Sequence, residues 1–99
     1  LNIKAEEALR VGLVNAVYPQ ADLMAAAEKL AGKIAKNAPI AVRACKKAVN
    51  DGLQVDIDKA IAIEEKQFGS CFETEDQKYG MAFFLDKNKE KVKEAFKNC

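Results

Sequence analysis

Ala21-Asp22-Leu23-Met24-Ala25-Ala26-Ala27-Glu28-Lys29-Leu30-Ala31-Gly32-Lys33-Ile34-Ala35-Lys36 decides the fold class. Leu23, Ala27, Leu30 and Ile34 stand at offsets 0, 4, 7 and 11, one face of a 3.6-residue period. Glu28, Lys29, Lys33 and Lys36 take the other side. Alanine is abundant and loses no side-chain entropy in a helix. The spacing predicts a helix over Ala21–Lys36. Asn37-Ala38-Pro39 then breaks it and opens another, because proline suits a first helical turn. Ala41, Cys45, Ala48 and Val49 line one face of that third helix, which Asp51-Gly52 ends.

Upstream, Ala5–Val11 reads as a short helix closed by Gly12, where a left-handed cap is wanted. Leu13–Tyr18 is the one extended-looking stretch, and Pro19 stops it. It is too short and solitary to make a sheet here. Downstream, Asp56–Phe68 reads as a fourth helix with Ile57, Ile61 and Phe68 on a stripe, and Asp56 and Asp58 suit its N-terminal dipole. Thr74 and Gln77 have capping-box spacing and open a last helix that carries Met81, Phe84, Leu85, Val92 and Phe96. The expected class is all-α, with four to five helices.

Composition excludes much. The chain has 99 residues, 49% hydrophobic and 31% charged, which bounds it to one domain. Chains of this size bury only about 60–70% of their unfolded surface, so a lone copy is marginally stable. With no histidine there is no Ser-His-Asp or Cys-His machinery and no imidazole metal site. Sixteen Lys+Arg against fifteen Asp+Glu give +1, so no whole-chain field draws it to nucleic acid or an acidic membrane. No run approaches the roughly 20 apolar residues that span a bilayer. Cys45, Cys71 and Cys99 lie far apart, which fits reduced thiols in a cytoplasmic protein. Cys45 is expected in the core and Cys99 exposed. The first residues are not a signal peptide, and the missing initiator Met points to a portion of a longer chain.

The chemistry visible in the residues is sparse. Glu6-Glu7 and Glu64-Glu65 are adjacent pairs on helices, where neighbours point about 100° apart and do not converge. The glycines are isolated, so no phosphate cradle forms, and no metal-ligand spacing occurs. Lys87, Lys89, Lys91, Lys93 and Lys97 against Glu90 and Glu94 give an excess of +3 over eleven residues. This reads as a helix end whose cations suit the dipole, or as a patch that meets phosphate. Phe84, three residues before Lys87, stands on the same helical face. Ring and ammonium together would make a platform for a nucleotide-like group, though such a pair is more often a core ring beside a surface lysine.

Several ordered segments carry a family likeness. Ala5-Glu6-Glu7-Ala8-Leu9-Arg10-Val11-Gly12-Leu13-Val14-Asn15, with Val17 and Pro19, resembles a signature of the enoyl-CoA hydratase (crotonase) superfamily. Leu23–Ile34 is similar to its Leu/Ala-rich helix. Pro39, Ala41, Lys46-Lys47-Ala48-Val49 and Asn50 resemble its next helix. Glu65 and Phe68, then Phe72, Thr74, Asp76, Gly80-Met81, Phe84, Leu85 and Lys87, resemble its tail. The likeness covers essentially the whole chain. It is nearest to the short-chain bacterial branch through Asn2-Ile3-Lys4-Ala5-Glu6-Glu7-Ala8 and Thr74-Glu75-Asp76-Gln77-Lys78.

The resemblance implies the C-terminal helical domain of a crotonase-like fold without its ββα-spiral core. Residues 1–99 would serve oligomerisation and CoA covering, with 1–19 a remnant of the segment that joins the core. It implies a parent enzyme that reversibly hydrates short-chain 2-enoyl-CoA with no cofactor besides its CoA thioester substrate. That parent would be a trimer or dimer of trimers in the cytoplasm, with no nucleic-acid or membrane partner. The family's two catalytic glutamates and oxyanion hole lie in motifs that these residues do not match, so no catalytic residue is carried over. Three CoA-binding positions are: Phe68 bounding the acyl and pantetheine pocket, Phe84 near the adenine, and Lys87 at a CoA phosphate. Phe83 and Asn88 depart from the family's usual alanine and arginine. Other readings are the tail of another superfamily enzyme such as an isomerase, a stand-alone helical interaction module, or an acyl-CoA-binding four-helix protein, whose motif residues are not seen.

Overall fold

A computed structural model describes residues 2–86 and 95–99. The described residues form five α-helices and no strand: α1 Ala5–Arg10, α2 Gln20–Ala35, α3 Pro39–Gly52, α4 Ile57–Cys71 and α5 Glu75–Leu85. The all-α expectation holds. The chain divides into two compact units, Leu1–Lys33 and Ile34–Cys99.

In the first unit α1 is short and carries the one buried residue of that helix, Ala8. The Ala8 carbonyl accepts from Leu13 N–H at 2.8 Å and Val14 N–H at 3.3 Å, which folds the following chain back over the helix end. That reversal needs Gly12 at φ 79, a left-handed conformation that glycine adopts without a Cβ clash. Arg10 Nε donates to Glu7 at 2.7 Å one turn away, an exposed pair worth little by itself. Leu13–Tyr18 forms no regular element. The α2 helix has no buried residue, and its predicted stripe, Leu23, Leu30 and Ile34, is exposed.

In the second unit α3 and α4 pack against each other. Small residues make the approach. Ala44 is buried and Ala48 half-buried on α3, and a Cβ at Gly52 would lie 3.4 Å from that of Ala60 on α4. One expectation is corrected here. Cys45 is exposed, and its neighbour Ala44 takes the core position. Ile57, Ile61 and Phe68 are exposed, while Ala60, Ile63, Gln67 and Cys71 are half-buried. Both sets have helical spacing; the second meets α3 at Ala60, whose small side chain beside Gly52 lets the two backbones approach.

The caps explain where the later helices begin. Asp56 accepts from Lys59 N–H at 3.0 Å and caps α4. Thr74 caps α5 through a bond from Gln77 N–H at 3.1 Å. The reciprocal arm of the expected capping box is replaced: Thr74 N–H is taken by the Cys71 carbonyl at 3.1 Å. The last helix is shorter than expected. It stops at Leu85, Asp86 is extended, and Phe96 lies outside any helix. Val92 falls outside the described residues. Thr74→Ala removes the cap and should destabilise the unit by about 1 kcal/mol. A lowered urea midpoint with unchanged slope would show it, and an unchanged midpoint would refute the cap's role.

Candidate functional site

Phe68 sits near the end of α4, 67% exposed, with its ring edge-on to Phe72 at 5.2 Å. Phe84 sits in the last turn of α5 and is 81% exposed. Neither ring is a core residue, so the bland alternative for Phe84, a buried ring beside a surface lysine, does not describe it. Lys87 lies outside the described residues, and so does its pairing with Phe84. Phe83, the residue that departs from the family's alanine, packs tilted on Tyr79 at 6.3 Å. Tyr79 in turn meets Phe96 edge-on at 5.9 Å. The larger side chain thus packs along its own helix.

The titratable groups do not assemble a reaction centre. Glu64 and Glu65 are exposed, and among the described residues no group of three or more His, Cys, Asp or Glu gathers as a metal site. Glu7 is held below the usual carboxylate range by the Arg10 guanidinium. Asp56 is lowered chiefly by the bond from Lys59 N–H. Depressed acids favour the folded form above their ordinary values, and this contribution fades as pH falls through the lowered ones. Both groups are exposed, so both effects are small. A cleft of about 260 Å³ is lined by Glu75, Asp76, Lys78, Tyr79, Ala95 and Lys97. It is below the roughly 300 Å³ of small-ligand sites, and neither Phe68 nor Phe84 lines it.

Sequence reasoning named Asp76 among the residues that resemble the family's tail but gave it no role. The structure buries it to 3% exposure, the one buried charged residue among those described. Its Oδ1 accepts from Lys97 N–H and its Oδ2 from Asn98 N–H, both at 2.7 Å. The visible signal was an acidic residue in a first helical turn, which dipole complementarity alone accounts for.

A family model of enoyl-CoA hydratase/isomerase matches residues 1–95. The chain belongs to that family. It is 54% identical over 97 residues to a short-chain-enoyl-CoA hydratase of Clostridium acetobutylicum, covering 98% of this chain and 36% of the relative. A crotonyl-CoA hydratase of Syntrophomonas wolfei is 49% identical over 87 residues, covering 88% of this chain and 34% of the relative. The crystal structure of an enoyl-CoA hydratase from Bacillus anthracis superposes with a TM-score of 0.85 at 37% identity, over 95% of this chain and 35% of that one. The chain therefore spans about a third of the length of these two curated relatives.

Exposure separates the two aromatic classes by stability. Phe84→Ser should change unfolding free energy by no more than about 0.5 kcal/mol, as for other surface sites. Phe96→Ala, at a half-buried ring, should cost about 1–2 kcal/mol, below the 3–5 of a full core position. Chemical denaturation of the two variants side by side checks the ranking.

Proposed function

We propose that these residues are the C-terminal helical portion of a short-chain enoyl-CoA hydratase. The parent adds water reversibly across the 2,3 double bond of a short-chain enoyl-CoA thioester such as crotonyl-CoA. The observation that carries this is the 54% identity, spread over 97 residues, to a short-chain-enoyl-CoA hydratase. An isomerase parent is the second reading, because the matching family model spans both reaction types.

In this reading the two glutamates and the oxyanion N–H pair lie in the part of the relatives outside the match. One glutamate acts as base on water, the other protonates the α-carbon, and the N–H pair stabilises the enolate-like charge. No cofactor is needed beyond the CoA thioester that is the substrate. The present residues serve oligomerisation and CoA-pocket closure as one C-terminal domain, 1–99, with 1–19 joining it to the catalytic core. Phe68 bounds the acyl and pantetheine pocket, Phe84 packs near the adenine and Lys87 meets a CoA phosphate. Support comes from the exposure of both rings: an aromatic face open to solvent is free to cover a ligand or a neighbouring subunit. The parent is a homo-oligomer, trimer or dimer of trimers, of the cytoplasm. None of the described helices is long and apolar enough to cross a membrane.

The 99 residues alone should give no crotonyl-CoA hydration above background in a spectrophotometric assay, whereas the full-length parent turns over. Clear turnover by the chain alone would sink this assignment of the chemistry. In the parent, Phe84→Ala and Lys87→Ala should each raise KM for crotonyl-CoA about tenfold with kcat nearly unchanged, the mark of lost binding that is uniform along the reaction. The chain alone should also self-associate, since Leu23, Leu30, Ile34, Ile57 and Ile61 are all exposed. Light scattering that reports a monomer at high concentration would contradict this.

A further inference from the structure

Residues 96–99 are held by side chains from two helices. The Asp76 carboxylate accepts from two successive main-chain N–H groups, Lys97 and Asn98, each at 2.7 Å. The Asp76 N–H donates back to the Cys99 carbonyl oxygen at 2.9 Å. Arg43 on α3 donates through Nη2 to Asn98 Oδ1 at 2.8 Å. Phe96 lies edge-on to Tyr79 and reaches the α5 backbone where Gly80 leaves space, its ring 3.4 Å from the position a Cβ would take.

The recognition is directed at backbone. Both carboxylate oxygens act as acceptors, so among the described residues the group is held by two oriented main-chain dipoles. Successive N–H groups converge on one anion only where the chain turns, and Asn98, at φ 65, then turns the chain so that the Cys99 carbonyl meets the Asp76 N–H. Asparagine tolerates this left-handed conformation better than other residues with a Cβ. The requirements are therefore specific: a carboxylate at 76, a residue that accepts positive φ at 98, and an aromatic ring at 96.

We infer that the start of α5 is a peptide-docking seat, with Asp76 as its positioning residue, and that its occupant is this chain's own 96–99 segment, bound through main-chain N–H groups in a left-handed turn. The seat is separate from the CoA-binding reading and does not depend on it, since neither Phe68 nor Phe84 contributes to it.

Amide hydrogen exchange on the full 99-residue chain tests the inference. In the unaltered chain the Lys97 and Asn98 amides should exchange at least about tenfold more slowly than unstructured peptide. Asp76→Asn places an amide NH₂ against one of the two N–H donors. It should remove protection from the amide that faces the NH₂ while amides of α3 and α4 keep theirs. Unprotected 97 and 98 amides in the unaltered chain, or protection of both that survives Asp76→Asn, overturns the proposal. Should Asp76→Asn unfold the unit, a pair at Asn98 decides. Asn98→Gly keeps the turn and should retain protection at 97 and 98, although it loses the Arg43 bond. Asn98→Val opposes positive φ and should lose it. Equal behaviour of the two variants refutes the seat as surely as protection surviving at both amides in Asp76→Asn.

Discussion

Alanine and glycine stand where α3 meets α4, and that choice of small residues constrains everything around it. Ala44, Ala48, Gly52 and Ala60 let two helix backbones approach closely. Small side chains contribute little burial of their own, however, at roughly 0.8 kcal/mol per buried CH₂. The larger apolar groups of the same helices, Val49, Ile57, Ile61 and Phe68, are directed outward. The pair is thus organised by backbone proximity, with its main hydrophobic payload unspent. A sequence whose Leu, Ile and Phe residues face water is one selected to bury them against something else. Membership of a family whose matched relatives are about three times this length agrees with that.

The sequence was most legible where backbone chemistry is local. Pro39 opens α3, Gly12 closes the turn after α1, and Thr74 caps α5, because each role depends only on residues within one helical turn. Helix faces were less legible. On α4 the stripe Ile57, Ile61, Phe68 and the stripe Ala60, Ile63, Gln67, Cys71 have the same periodicity, so hydrophobicity favours the first. Packing against α3 selects the second, which meets that helix at Ala60, a small residue beside Gly52. Cys45 was misplaced by one residue for the same reason. The end of α5 was misread because Phe96 continues an apolar pattern; it is docked from outside a helix, by its contact with Tyr79.

The candidate site divides along the same line. Phe68 and Phe84 enter by resemblance alone, and the structure adds that both rings are exposed. Phe83 was visible as a departure from the family pattern, but its consequence needed coordinates: a row of rings from Phe83 through Tyr79 to Phe96. Phe83 packs on Tyr79 of its own helix, and it is Tyr79 that meets Phe96, a residue 17 positions further along the chain. Glu64 and Glu65 are exposed and diverge as adjacent helix residues must.

Asp76 shows why a buried charge escapes pattern reading. The usual search pairs an acid with a lysine or arginine at i+3 or i+4, as Lys78 pairs with Glu75 and Lys47 with Asp51. Those pairs are exposed, and solvent screens them to a few tenths of a kcal/mol. The acid that leaves water is instead met by main-chain donors 21 and 22 residues away, which every non-proline residue carries and no composition count reveals. Desolvation makes its hydrogen bonds matter more, because an unmet buried carboxylate costs several kcal/mol whereas an exposed one loses nothing. What remains readable in such a site is the geometry of the donors' chain, and the mark is Asn98: a residue that tolerates left-handed backbone, placed two after an aromatic. The physical requirement lies in the turn, and the acid is its complement.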